Sequence, residues 1–207
     1  MEFPTATMVH KRIPKEAFYR HLPLTKALKE KFVSEVDKIV VENSLTKENI
    51  NLAADAGIKE ILLLSISLKK QELDGKVIEA IARQNAHHLV FLLIYEDSRQ
   101  LALYHGKLYR TEWMDAAELS LSPRGFSLDE IWASFVEQIA LYDERAGNTG
   151  ALSVEERLAL QERIVQLEKL IAKTETAAWK EQQPKKKFEL HTRLRRYTQE
   201  LEKLKDG

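Results

Sequence analysis

The sequence predicts an α/β (α+β) domain with a mixed sheet and flanking helices, followed by a C-terminal antiparallel helical hairpin, a short coiled coil. Three observations support this prediction. Two short apolar runs, residues 61–68 and 88–95, are typical of buried strands. A helical pattern separates them, and after residue 150 charge-rich heptads replace the globular pattern. The chain therefore divides into a globular domain (1–146), a linker (147–152) and a hairpin (153–207).

The N-terminal part predicts a helical turn, a helix and a strand. Phe18 and Tyr19, with Leu22 beside them, are interpreted as an aromatic turn of helix that anchors on the domain. Apolar residues then recur at helical spacing over residues 28–36, and residues 39–41 change to Ile-Val-Val. We therefore expect a helix that runs directly into a strand at residues 39–41. Further along, Thr46-Lys47-Glu48-Asn49 breaks the pattern.

The central part predicts a strand-helix-strand unit. Residues 61–68 are placed at the centre of the sheet, and Asp74-Gly75 opens the helix that precedes the strand at 88–95. A crossover of this length normally joins parallel neighbours in a right-handed sense. Turn residues then separate two further short strands, 101–104 and 108–111, which predict an antiparallel meander.

A helix beginning at Ser127 is predicted to close the domain. Ser127 and Glu130 have the spacing of a capping box, in which each side chain accepts from the other's backbone amide. An apolar stripe suited to covering one face of the sheet follows, at Ile131, Trp132, Phe135, Val136, Ile139 and Ala140.

The hairpin is predicted from heptads on both sides of a proline. Ser153 and Glu156 form a second capping box, and Pro184 fits the first turn of a second helix after a break at Gln182-Gln183. The seam residues are Leu160, Ile164, Leu167, Ile171, Leu194, Tyr197, Leu201 and Leu204. Folding about the proline brings residues 194, 197, 201 and 204 near 174, 171, 167 and 164 respectively.

Three interpretations of this hairpin stay open: a solvated helical pair packed on its own domain, a dock for a partner, or a site of self-association. Two heptads per arm are too few to be stable alone in water, which favours association of the exposed seam with another protein surface. A cluster of cations could also neutralise DNA phosphates. These cations are Lys185, Lys186, Lys187, Arg193, Arg195 and Arg196, and a solvated helix face is the plain alternative.

The amino-acid composition argues against several classes of protein. The 207 residues carry 32 Lys or Arg and 32 Asp or Glu, which argues against a protein that coats nucleic acid by bulk charge. Residues 151–207 are mildly basic, with 13 Lys or Arg against 10 Asp or Glu. The absence of cysteine excludes disulfides and favours the cytoplasm. We expect neither a signal peptide nor a membrane-spanning helix.

The sequence shows no strong catalytic pattern, and we predict no cofactor, no metal site and no catalytic residue. The six histidines lack metal spacing, and His87-His88 is interpreted as structural, with one packed ring and one wet ring. Phosphate loops and nucleophile elbows are missing. Ser67-Leu68-Lys69 resembles the layout of restriction-endonuclease-like nucleases, but Ser67 stands where a metal-binding carboxylate belongs. Asp55 and Glu60 lie upstream without a clear metal-binding partner. If the fold is nuclease-like, Ser67 predicts an inactive version, and the plainer interpretation takes Lys69 and Lys70 as ordinary strand-end charges.

Several stretches together resemble a bacterial and archaeal family, domain-of-unknown-function family 4391, whose members are often encoded beside helicases and DNA methyltransferases of restriction-type phage-defence loci. The matching stretches are Arg12-Ile13-Pro14-Lys15, Phe18-Tyr19, residues 61–69, Leu73-Asp74-Gly75-Lys76-Val77, residues 88–96, Thr111-Glu112-Trp113 and Leu128-Asp129-Glu130 with Phe135, Gln138 and Ile139. Relatives can carry an acidic residue at the position of Ser67. The resemblance implies work on foreign DNA and supplies no catalytic residues.

These observations predict a non-enzymatic accessory or adaptor subunit of a DNA-directed phage-defence complex. Its expected partner is a helicase or methyltransferase subunit, and the hairpin is the expected contact to protein or DNA. One alternative is a divergent, inactive nuclease-like domain. Another is a homo-oligomeric scaffold protein.

Overall fold

The computed structural model describes residues 1, 3–17, 24–52, 57–143 and 149–206. The predicted aromatic turn at Phe18, Tyr19 and Leu22 lies outside the described residues, as do Asp55 and part of the predicted linker, residues 147–148. The chain forms two compact units, Met1–Tyr142 and Asp143–Gly207.

The first unit is built on a mixed seven-stranded sheet. Its strands are β1 (Met8–Ile13), β2 (Val36–Thr46), β3 (Glu60–Leu68), β4 (His88–Tyr95), β5 (Ser98–His105), β6 (Lys107–Arg110) and β7 (Met114–Asp115). The order is β1-β2-β3-β4-β5-β6, and β7 also pairs with β5. Only β3 and β4 are parallel among the described pairs, and the others are antiparallel. The predicted fold class, the interior position of β3 and the meander from β4 to β6 are confirmed.

One face of the sheet packs against two helices, α1 (Lys26–Glu35) and α2 (Gly75–Gln84). Phe32 of α1 and Ile78 of α2 are fully buried in a cluster with Ile66 of β3 and Phe91 of β4. Because side chains alternate along a strand, residues 64, 66 and 68 of β3 face this cluster while 63 and 65 face the opposite side. The continuous apolar run of β3 is explained by burial on both faces.

Helix α3 (Leu128–Ala140) packs on β3, β5 and β6, and its buried residues lie outside the first cluster, which places it on the opposite face. Its predicted N-terminus is confirmed, since the Ser127 hydroxyl accepts from the Glu130 N–H at 3.2 Å. The predicted return bond, from the backbone N–H of Ser127 to the Glu130 side chain, is wrong. Glu130 Oε2 instead accepts from the N–H of Phe126, the residue before Ser127, at 2.7 Å.

The edge strand β1 was not predicted, and β2 is longer than predicted. The residues of β1 are exposed or half-buried, and its sequence includes His10, Lys11 and Arg12, so the apolar alternation that identifies a strand is weak. In β2 the polar residues 42–44 continue the strand because each has a partner. Glu42 accepts from the Ser65 hydroxyl, Asn43 donates to the Thr7 hydroxyl at 2.8 Å, and Ser44 donates to Glu60.

The second unit contains two helices, α4 (Val154–Lys180) and α5 (Pro184–Asp206), which pack together. The predicted capping box at Ser153 and Glu156 is present in both directions, with N···O distances of 3.2 and 2.8 Å. The end of α4 at Lys180 and the start of α5 at Pro184 confirm the predicted break. The predicted antiparallel helical hairpin is therefore confirmed.

Candidate functional site

The lysine of the nuclease-like layout contacts the end of a helix. Lys69 follows β3, and its Nζ donates to the carbonyl of Val33 at 3.0 Å while its backbone N–H donates to the carbonyl of Glu35 at 2.8 Å. Both carbonyls belong to the last turn of α1. Lys15 Nζ donates to the carbonyl of Val36, the C-cap residue. Carbonyls at a helix C-terminus lack helical partners and carry partial negative charge, so these lysines stabilise the end of α1.

The adjacent Lys70 serves a buried carboxylate. Its Nζ lies 3.2 Å from Glu35 Oε1, and Glu35 Oε2 accepts from the Asp74 N–H at 3.0 Å. Asp74 is the N-cap of α2, where it accepts from the Lys76 N–H, and it also pairs with Lys31 at 2.6 Å. The hydrogen bond from Lys31 and then that from the Lys76 amide lower the pKa of Asp74. These contacts join α1, β3 and α2.

The residues considered as metal ligands have other partners. Ser67 lies in β3 between Lys38 of β2 and Ile94 of β4. Glu60 accepts from Ser44 and lies 3.1 Å from His87 Nδ1. The part of the chain that the structure describes contains no cluster of three or more His, Cys, Asp or Glu side chains that could hold a metal ion.

The pair His87-His88 has the predicted arrangement, in which one ring is packed and the other is exposed to solvent. His88 packs edge-on against Trp132 of α3, with ring centroids 4.7 Å apart, whereas His87 is exposed and pairs with Glu60. The indole N–H of Trp132 donates to His105 Nδ1 at 3.4 Å. Burial, and secondarily the charge of His105, lowers the pKa of His88. This cluster fixes α3 on the sheet.

A cavity of about 440 Å³ opens beside the motif at Arg12-Ile13-Pro14-Lys15. Arg12, Lys15 and Lys38 line it together with the carboxylates of Glu16 and Asp37. Burial and the neighbouring Lys69 lower the pKa of Lys15. Because Lys15 is held by the Val36 carbonyl and two carboxylates lie beside it, we assign this cluster a structural role.

The residues of the predicted hairpin seam are shielded from solvent to different degrees. Ile164 and Leu167 are buried, whereas Leu160, Ile171, Leu194, Tyr197, Leu201 and Leu204 are half-buried. Ion pairs between described residues also cross from one helix to the other. Arg163 Nε donates to Glu200 at 2.9 Å, and Lys205 Nζ donates to Glu168 at 3.0 Å. The heptads predict that residue 164 lies near 204 and residue 167 near 201. The ion pairs 163/200 and 168/205 are offset from this register by equal amounts in opposite directions.

The predicted basic residues are all exposed, but they do not share one face. Helical spacing of 100° per residue places Lys185, Lys186, Arg193 and Arg196 on one flank of the hairpin and Lys187 and Arg195 on the other. Arg196 lies over the ring of Tyr197, 5.3 Å from its centroid. Among the described residues the other five form no ion pair or hydrogen bond through their side chains. Their charges therefore remain available to a ligand.

Two exposed aromatic residues near the turn were missed by the sequence analysis. Trp179 is 87% exposed and Phe188 is 73% exposed. A cavity of about 610 Å³ is lined by residues of both helices: Glu175, Thr176, Ala178 and Trp179 of α4, and Lys187, His191 and Leu194 of α5. The available signal was position, since both rings fall outside the heptad seam. We call Trp179, Lys187, Phe188, His191 and Arg195 the aromatic flank.

None of the helices in the described ranges has the length and apolar character needed to cross a membrane. Comparison with protein-family models gives a match. The family model for "Domain of unknown function (DUF4391)" matches residues 1–201. Searches of curated proteins and of solved structures find no match. The match spans both units, and the chain therefore belongs to the DUF4391 family.

Proposed function

We propose that this protein is a non-enzymatic accessory subunit that binds nucleic acid through the turn end of its hairpin. The observation that carries this proposal is the segregation of charge. Residues 173–196 contain eight Lys or Arg and three Glu, whereas the other residues of 151–207 contain five Lys or Arg and seven Asp or Glu. The positive excess is confined to the part of the hairpin on either side of the turn.

The chemistry of this end suits phosphates. Lys185, Lys186 and Lys187 are consecutive and exposed, and their side chains form no ion pair with described residues. A phosphate backbone requires positioned cations and releases counterions when they bind, so affinity falls steeply with salt. Because contacts to phosphates carry no sequence information, these lysines support affinity without base recognition.

As an accessory subunit, the protein needs a protein partner. The resemblance described above implies gene neighbours that encode a helicase or a DNA methyltransferase of a phage-defence locus, and we propose one of these as the partner. Co-purification with each neighbouring gene product tests this. Loss of the complex on deletion of residues 151–207 would assign the contact to the hairpin, whereas retention would assign it to the first unit.

Nucleic-acid binding is tested by titrating a labelled duplex at about 50 mM salt and upward. We expect the triple variant Lys185→Gln, Lys186→Gln and Lys187→Gln to weaken binding about equally for all sequences. Its double-logarithmic salt slope should be smaller by about 2 to 3, near 0.9 for each phosphate that is no longer neutralised. A matched triple variant with Lys26→Gln, Lys169→Gln and Lys203→Gln removes the same charge elsewhere and should bind almost normally.

Two outcomes would contradict the proposal: absence of binding to any nucleic acid at low salt, or a tip variant indistinguishable from the matched control. Light scattering of the same preparations separates the homo-oligomeric scaffold alternative, which requires a stable assembly of this chain alone.

A further inference from the structure

The aromatic flank has a feature that phosphate binding alone does not use. Trp179 and Phe188 are large rings left in solvent, on opposite sides of the three-residue break between α4 and α5. Burying such rings in a complex contributes favourable free energy of binding that an exposed ring does not supply. Neither ring belongs to the seam, so hairpin stability does not account for their type or position.

We infer that the aromatic flank binds single-stranded nucleic acid, with unpaired bases stacked on Trp179 and Phe188 and the adjoining phosphates beside Lys187 and Arg195. This inference rests on the proposed function and specifies the class of nucleic acid. Sequence-tolerant binding of single strands combines a basic surface with aromatic rings on which successive bases stack. The aromatic flank offers both elements.

The geometry places rings and cations on the same flank. Trp179 and Lys187 line one cavity from the two helices, with His191 one turn further along α5. Residues 187, 191 and 195 repeat every four positions and so form a stripe, and Phe188 is a helical neighbour of 191 and 195 at spacings of three and seven. A strand that follows this stripe would pass Trp179 and Phe188 in turn.

Charge and ring chemistry together favour this occupant. Eight cations against three carboxylates around the turn attract a polyanion. A duplex satisfies the cations but keeps its bases paired and stacked inside, so it cannot use the two rings. The cavity of about 610 Å³ beside Trp179 is ample for one nucleobase. Single strands use every feature of the flank. Among the described residues that line this cavity, Glu175 is the one carboxylate.

The test compares Trp179→Ala, Trp179→Phe and Phe188→Ala with wild type in the full chain. The probes are fluorescein-labelled oligo(dT), oligo(rU) and a duplex of equal length. We expect Trp179→Ala to weaken binding of both single strands by roughly 5- to 150-fold, the effect of removing one base–ring stack, and to change duplex binding less than about two-fold. Trp179→Phe should retain most of the affinity because a ring remains.

Phe126→Ala is the matched control, since Phe126 is 83% exposed but lies in the first unit. It should bind like wild type. A second readout is tryptophan emission: Trp132 is buried and Trp113 is half-buried against the core, so oligo(dT) should quench mainly the exposed Trp179. Equal affinity for single strands and duplex, with Trp179→Ala acting like Phe126→Ala, would overturn this inference and leave the proposed function standing. Absence of binding to all three probes would overturn both.

Discussion

Replacing Lys69 with alanine tests whether this residue stabilises the end of α1 or takes part in catalysis. The substitution removes the bond from Nζ to the Val33 carbonyl and keeps the backbone bond to Glu35. A cation at a helix C-terminus contributes about 0.3 to 1 kcal/mol. The hydrogen bond adds a similar amount after discounting for its exposure to solvent. We therefore expect a loss of about 1 kcal/mol in the free energy of unfolding, or about 3 °C in Tm.

The assay is urea unfolding followed by tryptophan fluorescence, in which the buried Trp132 reports on the first unit. The matched control is Lys26→Ala at the opposite end of the same helix, since Lys26 is the first residue of α1. Positive charge is unfavourable there, so this variant should be neutral or more stable by a few tenths of a kcal/mol. Equal destabilisation by the two substitutions would refute the capping role of Lys69.

The same variants address the nuclease alternative. With Mg²⁺ or Mn²⁺ and either single- or double-stranded DNA, we expect no cleavage by wild type or by Lys69→Ala. In the nuclease-like layout, Ser67 stands at the position where a carboxylate would hold the metal. Cleavage by wild type that disappears in a correctly folded Lys69→Ala variant would show that this region is catalytic.

Two further predictions concern helix starts. Amides of Ile58 and Gly57 donate to Asp129 and lower its pKa; Asp129→Asn should therefore cost about 1 kcal/mol at pH 7 after discounting for exposure. A lowered pKa gives stability that is present above the unfolded value, near 3.9, and lost as pH falls through the folded value, so urea unfolding should show the two proteins converging in acid. Ser153→Ala removes half of the α4 capping box and should cost about 1 kcal/mol, measured as earlier thermal loss of far-UV helix signal. An unchanged helix signal would contradict the role of the box.

Elements whose signal is local were predictable. The apolar runs of β3 and β4, the Ser153 capping box and the break before Pro184 each depend on neighbouring residues, and the structure confirms them. The family assignment from matching stretches is also confirmed.

Elements that depend on distant partners were not predictable. The polar end of β2 remains a strand because Glu42, Asn43 and Ser44 meet Ser65, Thr7 and Glu60 respectively. The capping role of Lys69 requires that β3 end beside α1, which sequence periodicity does not encode. The flank that joins Trp179 to Lys187 exists only once two helices are paired in a particular register.

The two edges of the sheet limit how this protein can associate. At one edge, β1 shifts register between Met8 and Lys11 and has a positive φ at His10, and its outer residues include cations. At the other edge, β5 is covered by two very short strands, four-residue β6 and two-residue β7. Irregular, charged or very short edge strands resist pairing with a further strand. A partner that joins the first unit is therefore expected to bind through helix and loop surfaces, and the sheet itself is protected from edge-to-edge aggregation.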